Sequence, residues 1–167
     1  KAEFAEAMDL GAIINLDDIS LIKKVQEPFP EIICFRLNPG RSRIGNSIIG
    51  KPHEAKYGVT YDQLSKAYSQ ARGRGAKRFG IHTMICSNQR NWRYMVDTVR
   101  MLLTHVAWLD DRIGIRCEFM NMGGGFGIPY KPRQTGFAME VMATAINGLI
   151  SRFKLKHGWV PKLFMES

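Results

Sequence analysis

Apolar positions along this chain follow two alternating rhythms. Short runs rich in β-branched residues give way to stretches in which apolar residues recur every three or four positions. The runs predict strands over residues 12–16, 31–37, 78–85, 115–122 and 161–166. Between them the spacing predicts amphipathic helices. One carries Leu64, Ala67, Tyr68 and Ala71 on one face, behind a capping box of Thr60 and Gln63. A second begins near Asn91 and turns Val96, Val99, Leu102, Leu103 and Val106 inward. A third, capped by Thr135, turns Ala138, Val141, Met142, Ala145, Leu149 and Ile150 inward. Asp17 and Asp18 can cap a short helix over 19–25.

Strands alternating with crossover helices mean a parallel α/β sheet. The pattern fits both an open doubly wound sheet and a β/α barrel. A closed barrel of eight units takes about 250 residues, whereas this chain supplies five strands in 167 residues. A helix opens the sequence with no strand before it, and the last strand has no helix after it. The expectation is one segment, 1–167, of a TIM-like (β/α)8 barrel. The long stretch 38–58 follows a strand's C-terminal end, the edge where such folds place ligand loops.

Composition narrows the function classes. Apolar residues make up 45% and charged residues 23%, an ordinary globular balance. No apolar run approaches the ~20 residues of a membrane helix, and the acidic N-terminus lacks a signal-peptide core. Cys34, Cys86 and Cys117 are odd in number and far apart, which favours a reducing cytoplasm over disulfides or zinc. His53, His82, His105 and His157 show no paired ligand spacing, so no metal is expected. Net charge is +9, which raises nucleic-acid binding. The cations are spread along the chain in short clusters such as "RGRGAKRFG" and "SRFKLKHG", where helices should end and cations complement the dipole. No stacking aromatics accompany them, so no nucleic-acid partner is expected.

The candidate chemistry sits at strand ends. "MNMGGGFGIPY" places Gly123, Gly124, Gly125 and Gly127 between a strand and a helix. Consecutive bare amides can form a nest for an anion such as phosphate, or simply a tight turn. The spacing fits neither a Walker loop nor a dinucleotide fingerprint. "GIHTMICSN" places His82, Met84 and Ser87 at another strand end, "FRLNPG" places Arg36 and Asn38, and "FMES" places Glu166. Parallel strands converge there, so these side chains can surround one pocket.

In order along the chain, "FRLNPG", "AKYG", "GIHTMICSN" and "GGGFGIPY" resemble successive blocks of the diaminopimelate decarboxylase family, and "LFMES" resembles the start of its EPGR block. The resemblance runs from about Leu10 to the C-terminus. It implies an alanine-racemase-type barrel with pyridoxal 5'-phosphate at its mouth. It also implies a cytoplasmic homodimer that decarboxylates an amino acid in lysine biosynthesis. Related decarboxylases of ornithine, arginine or a carboxylated polyamine, or a non-catalytic pyridoxal-phosphate-binding homologue, are alternatives. By resemblance Glu166 pairs with the pyridine nitrogen, Gly123, Gly124 and Gly125 bind the phosphate, and Ser87 lies beside it. His82 matches the first histidine of a His-x-His-Ile-Gly-Ser block.

The sequence departs from that pattern in places. Met84 stands where the second histidine, the one stacked on the cofactor, belongs, and Cys86 replaces the block's glycine. Ser167 stands where the EPGR block has proline. The Tyr-Ala-x-Lys-type block of the Schiff-base lysine is absent, as is the family's C-terminal β-domain. Lys56 belongs to a different block, and Lys162 lies near the start of the last strand.

Overall fold

The computed structural model describes residues 2–43, 51 and 54–166. Ser167 and His53 lie outside the described residues. The chain runs α1 (Ala2–Asp9), β1 (Ile14–Leu16), a 3-10 turn (Ile19–Lys24), β2 (Ile32–Arg36), a second 3-10 turn (Gly40–Ser42), α2 (Tyr61–Gly73) and β3 (Arg78–His82). It continues through α3 (Trp92–Ile113), β4 (Phe119–Asn121), α4 (Met139–His157) and β5 (Lys162–Phe164).

All five strands are parallel and lie side by side in sequence order, β1-β2-β3-β4-β5. A doubly wound sheet needs a reversal of strand order, and none occurs among the described strands. Right-handed crossovers without a reversal put every helix on the same side, the arrangement of a barrel wall. Alternation along the strands separates the two faces. Ile14, Leu16, Ile33, Phe35, Ile81 and Met120 are buried in the core beneath the helices. Tyr68 on α2 sits edge-on to Phe35 and Phe79, with centroids 5.0 and 5.8 Å away, and its hydroxyl donates to the Gly80 carbonyl at 2.7 Å.

The other face carries Asn15, Cys34, His82, Phe119, Asn121 and Phe164, which with Ile13 line a pocket of about 140 Å³. In register, Arg36, His82, Asn121 and Phe164 form one row across β2 to β5. A barrel would enclose this face as its lumen.

Local signals explain most element ends. Asp18 caps the first 3-10 turn by accepting from Ser20 N–H at 2.6 Å, and Asn91 caps α3 through Arg93 N–H at 3.0 Å. Gln63 closes back on the Thr60 N–H at 3.3 Å, as the capping box requires. Thr135 does not cap α4, which begins at Met139 behind Ala138. Phe137 is held edge-on against Phe126, 5.4 Å away, and this keeps the preceding chain outside the helix. Val141 is exposed rather than inward-facing, and the buried residues of α4 are Met142, Ile146 and Phe153. The strand expected over 115–122 is short because Ile115 N–H is used on Leu109 O, closing α3. Likewise Ala12 N–H closes α1 on Ala7 O, so β1 starts only at Ile14.

The basic clusters do fall at helix ends. Arg72 donates to Ile113 O at 2.9 Å, and Arg74 donates to Ile22 O and Val25 O and pairs with Glu27. The three cysteines are free and buried. Among the described residues no group of His, Cys, Asp and Glu could hold a metal ion, and no helix is long and apolar enough to cross a membrane.

Candidate active site

The C-terminal ends of β3, β4 and β5 do not separate where the strands stop. Thr83 N–H donates to Asn121 O at 3.0 Å, Met122 N–H to Phe164 O at 3.0 Å, and Glu166 N–H to Gly123 O at 3.0 Å. These bonds draw the glycine bend between the extensions of its two neighbours. A Cβ on Gly123 would lie 2.5 Å from Thr83 O, one on Gly124 2.6 Å from Glu166 O, and one on Gly125 2.2 Å from Cys86 O. Gly123 and Gly125 also have φ of +70° and +86°, where a side chain is strained. The glycines are therefore demanded by neighbouring backbone before any ligand is considered.

The amides of the bend are not all open. Gly123 N–H donates to Asn121 Oδ1 at 2.8 Å, Gly124 N–H to Met84 Sδ at 3.3 Å, and Gly127 N–H to Gln89 O at 2.9 Å. The N–H groups of Gly125 and Phe126 take no partner among the described residues. Ser87 adjoins them, its Cα 3.1 Å from where a Gly125 Cβ would stand. The bend thus presents two adjacent donors with no partner among the described residues, beside a serine, a geometry that suits a small anion.

On the lumen side, His82 is buried and its Nδ1 lies 2.9 Å from Asn15 Nδ2. An amide NH2 only donates, so Nδ1 accepts and the neutral ring carries its proton on Nε2. That atom is buried without a hydrogen bond and stands 3.6 Å from Glu166 Oε1. Burial holds His82 below its ordinary pKa of 6.5, with the Arg36 charge adding to this and the Glu166 carboxylate opposing it. Asn121 Nδ2 donates to the same Glu166 oxygen at 2.9 Å.

Arg36 Nη2 donates to Met84 O at 3.0 Å. Arg36 and Met84, with Asn38, Lys56 and Tyr57, line an adjoining pocket of about 300 Å³. Cys86 is buried, with Sγ 3.8 Å from Gly124 O and 3.9 Å from Met95 Sδ. Burial pushes its thiol up to about 11, which leaves it a packing group, not a nucleophile.

The structure brings Glu166, His82, Met84, Ser87, Gly123, Gly124 and Gly125 to one rim. Lys162 does not join them, since it pairs in register with Phe119 at the start of β5. Sequence reading passed over Asn15 and Asn121. The available signal was a single polar residue in an apolar stretch, in "AIINL" and "FMNM".

The family model described as "Pyridoxal-dependent decarboxylase, pyridoxal binding domain" matches residues 2–167. Protein TabA of Pseudomonas amygdali pv. tabaci is 32% identical over 99% of this chain and 39% of its own length. Diaminopimelate decarboxylase of Thermoplasma acidophilum is 30% identical over 84% of this chain and 35% of its own length. The chain therefore spans little more than a third of the length of these relatives. The crystal structure of diaminopimelate decarboxylase from M. jannaschii in complex with L-lysine superposes with a TM-score of 0.82 at 24% identity, over 99% of this chain and 40% of that one. That likeness establishes the barrel-type fold. With the match to the family model over nearly the whole chain, it makes this chain a member of the pyridoxal-binding domain family of pyridoxal-dependent decarboxylases.

Proposed function

We propose that this chain is the part of an amino-acid decarboxylase that grips pyridoxal 5'-phosphate at its phosphate and its ring nitrogen. The observation that carries this reading is the 3.0 Å bond from Glu166 N–H to Gly123 O. It fixes an acid and an anion-binding bend on one rim. The residues present fit the cofactor at both ends. The open amides of Gly125 and Phe126, with Ser87 beside them, suit a phosphate. Glu166 suits a pyridine nitrogen, because a nearby carboxylate favours its protonated form.

When bound, the cofactor supplies an electron sink for the carbanion left as carbon dioxide departs. This chain's residues bind and orient it. Met84 offers a polarisable thioether to the ring face in place of the family's imidazole, while its sulfur also accepts from Gly124 N–H. Gly123 and Gly124 hold the bend's shape rather than contacting the anion, and His82 acts through Glu166. Lys56 lines the adjoining pocket with Arg36 and Met84, but it belongs to a different block from the family's Schiff-base lysine. In this reading the Schiff-base lysine, the C-terminal β-domain and the second subunit of a homodimer come from outside this chain, which spans little more than a third of its relatives' length. Three free buried cysteines accord with a cytoplasmic enzyme.

The substrate class proposed is an amino acid of the diaminopimelate type, in lysine biosynthesis. Ornithine, arginine and a carboxylated polyamine are substrates that the same cofactor grip would serve. In the test, full-length protein is desalted after incubation with pyridoxal phosphate and then assayed for carbon dioxide release from each amino acid. Retained cofactor and release from diaminopimelate are expected, with turnover falling by about 10²-fold or more in Glu166→Ala. A protein that retains no cofactor overturns the proposal. One that retains it but releases no carbon dioxide from any of them is the non-catalytic homologue.

A further inference from the structure

Asn15 is the polar residue of β1, between buried Ile14 and Leu16. Its side chain lies on the lumen face and reaches past β2 to His82 on β3. The register makes this possible. Asn15 lies opposite Cys34, and Cys34 lies opposite Gly80, so nothing longer than a thiol stands between the amide and the imidazole.

We propose that Asn15 is a positioning residue. By donating to His82 Nδ1 it fixes the tautomer whose Nε2–H faces Glu166, and so turns the imidazole N–H toward that carboxylate. The groups around His82 come from every neighbouring strand: Asn15 from β1, Arg36 from β2, Asn121 from β4 and Glu166 after β5. The alternative tautomer would aim a lone pair at a carboxylate and a proton at an amide NH2, which is repulsive at both ends. With the proton on Nε2, Glu166 Oε1 faces two donors, Asn121 Nδ2 at 2.9 Å and His82 Nε2 at 3.6 Å. The second oxygen is then the one left for a ligand. This inference rests on the reading that Glu166 serves the cofactor's ring nitrogen, and it adds what aims that carboxylate.

The test reads the histidine directly. Full-length, cofactor-free protein is labelled with 15N-histidine, and the His82 signals are assigned by their loss in His82→Gln. The expected wild-type spectrum shows a neutral ring protonated on Nε2. Asn15→Asp replaces the donor with an acceptor. It should move the proton to Nδ1 or add a second one, raising the His82 titration midpoint by about one pH unit or more. Glu166→Gln, which leaves Asn15 intact, should shift the Nε2 proton resonance. A wild-type ring protonated on Nδ1 overturns the proposal, as does an Nε2 signal indifferent to Glu166→Gln. Cofactor retention is measured on the same wild-type protein. Its absence would defeat the decarboxylase reading while leaving the histidine result standing.

Discussion

Asn121 and Glu166 are joined by a 2.9 Å hydrogen bond, and through it the acid beyond β5 is tied to the bend beyond β4. The Asn121 amide works in both directions. Its NH2 donates to the carboxylate, while its Oδ1 accepts from Gly123 N–H at 2.8 Å. One side chain thereby reinforces the backbone bond from Glu166 N–H to Gly123 O, bracing the group proposed for the ring nitrogen against the loop proposed for the phosphate.

Asn121→Asp tests that coupling with almost no change of shape. The new carboxylate still accepts from Gly123 N–H, but it faces Glu166 with like charge instead of a donor. Pyridoxal-phosphate affinity of the full-length protein should fall by about tenfold or more, as expected for losing a hydrogen bond to a charged group, worth about 1.5–3 kcal/mol. Equilibrium titration of the cofactor measures it. Unchanged affinity would mean that Glu166 is aimed by something else.

Two glycines should respond to alanine in opposite directions. Gly125 has φ +86°, and its added Cβ would lie 2.2 Å from Cys86 O, so Gly125→Ala should cost about 1–3 kcal/mol. Gly148 lies inside α4 with only the far end of Arg152 within 3.5 Å. Gly148→Ala should stabilise by about 0.5–1 kcal/mol through helix propensity. Urea unfolding separates the two. If Gly125→Ala were neutral, the bend would be looser than its contacts imply.

The sequence carried the fold well because its signals were local. Capping residues such as Asp18 and Asn91, and the apolar spacing of α3, depend only on nearby positions. Thr135 failed as a cap because a tertiary contact, Phe137 on Phe126, decided where α4 starts. The candidate site was legible through motifs at strand ends, and Glu166 and the glycine bend do share one rim. Less visible was the division of labour within the bend. Nothing in "GGG" distinguishes amides already committed to Asn121 and Met84 from the open ones of Gly125 and Phe126. Asn15 was hidden for a related reason, since its partner is 67 residues away and only strand register brings them together.

Cys86 shows how a departure from the family's block is accommodated. The thiol fills space between Gly124 O and Met95 Sδ. Restoring the glycine by Cys86→Gly should leave a small cavity and a freer backbone, costing about 1–3 kcal/mol. Thermal or urea unfolding reads that loss. In the native wild type, the buried thiol, pushed up to about 11, should not react with a thiol reagent at neutral pH. Rapid labelling of Cys86 under native conditions would contradict the packing described.

Two histidines, buried His82 and half-buried His105, set a pH dependence of stability. Burial lowers His82 and His105 below their ordinary 6.5. His105 is additionally stacked 4.5 Å over Tyr61, with its Nδ1 2.7 Å from Met101 O. As pH falls through about 6.5, the unfolded chain takes up protons on both rings that the folded chain does not yet accept. Stability is therefore full above that value and declines below it, until each folded-state histidine itself titrates. The slope reaches at most about 1.4 kcal/mol per pH unit for each histidine. The lowered carboxylates of Glu27 and Glu118, whose ordinary value is 4.5, begin to contribute only at lower pH, so the histidine window stands apart. Denaturant midpoints of full-length protein between pH 7.5 and 5 should show the decline, and His105→Gln should flatten it without touching the candidate site. A midpoint that rises toward pH 5 would mean the rings gain a partner on protonation, contrary to their burial here.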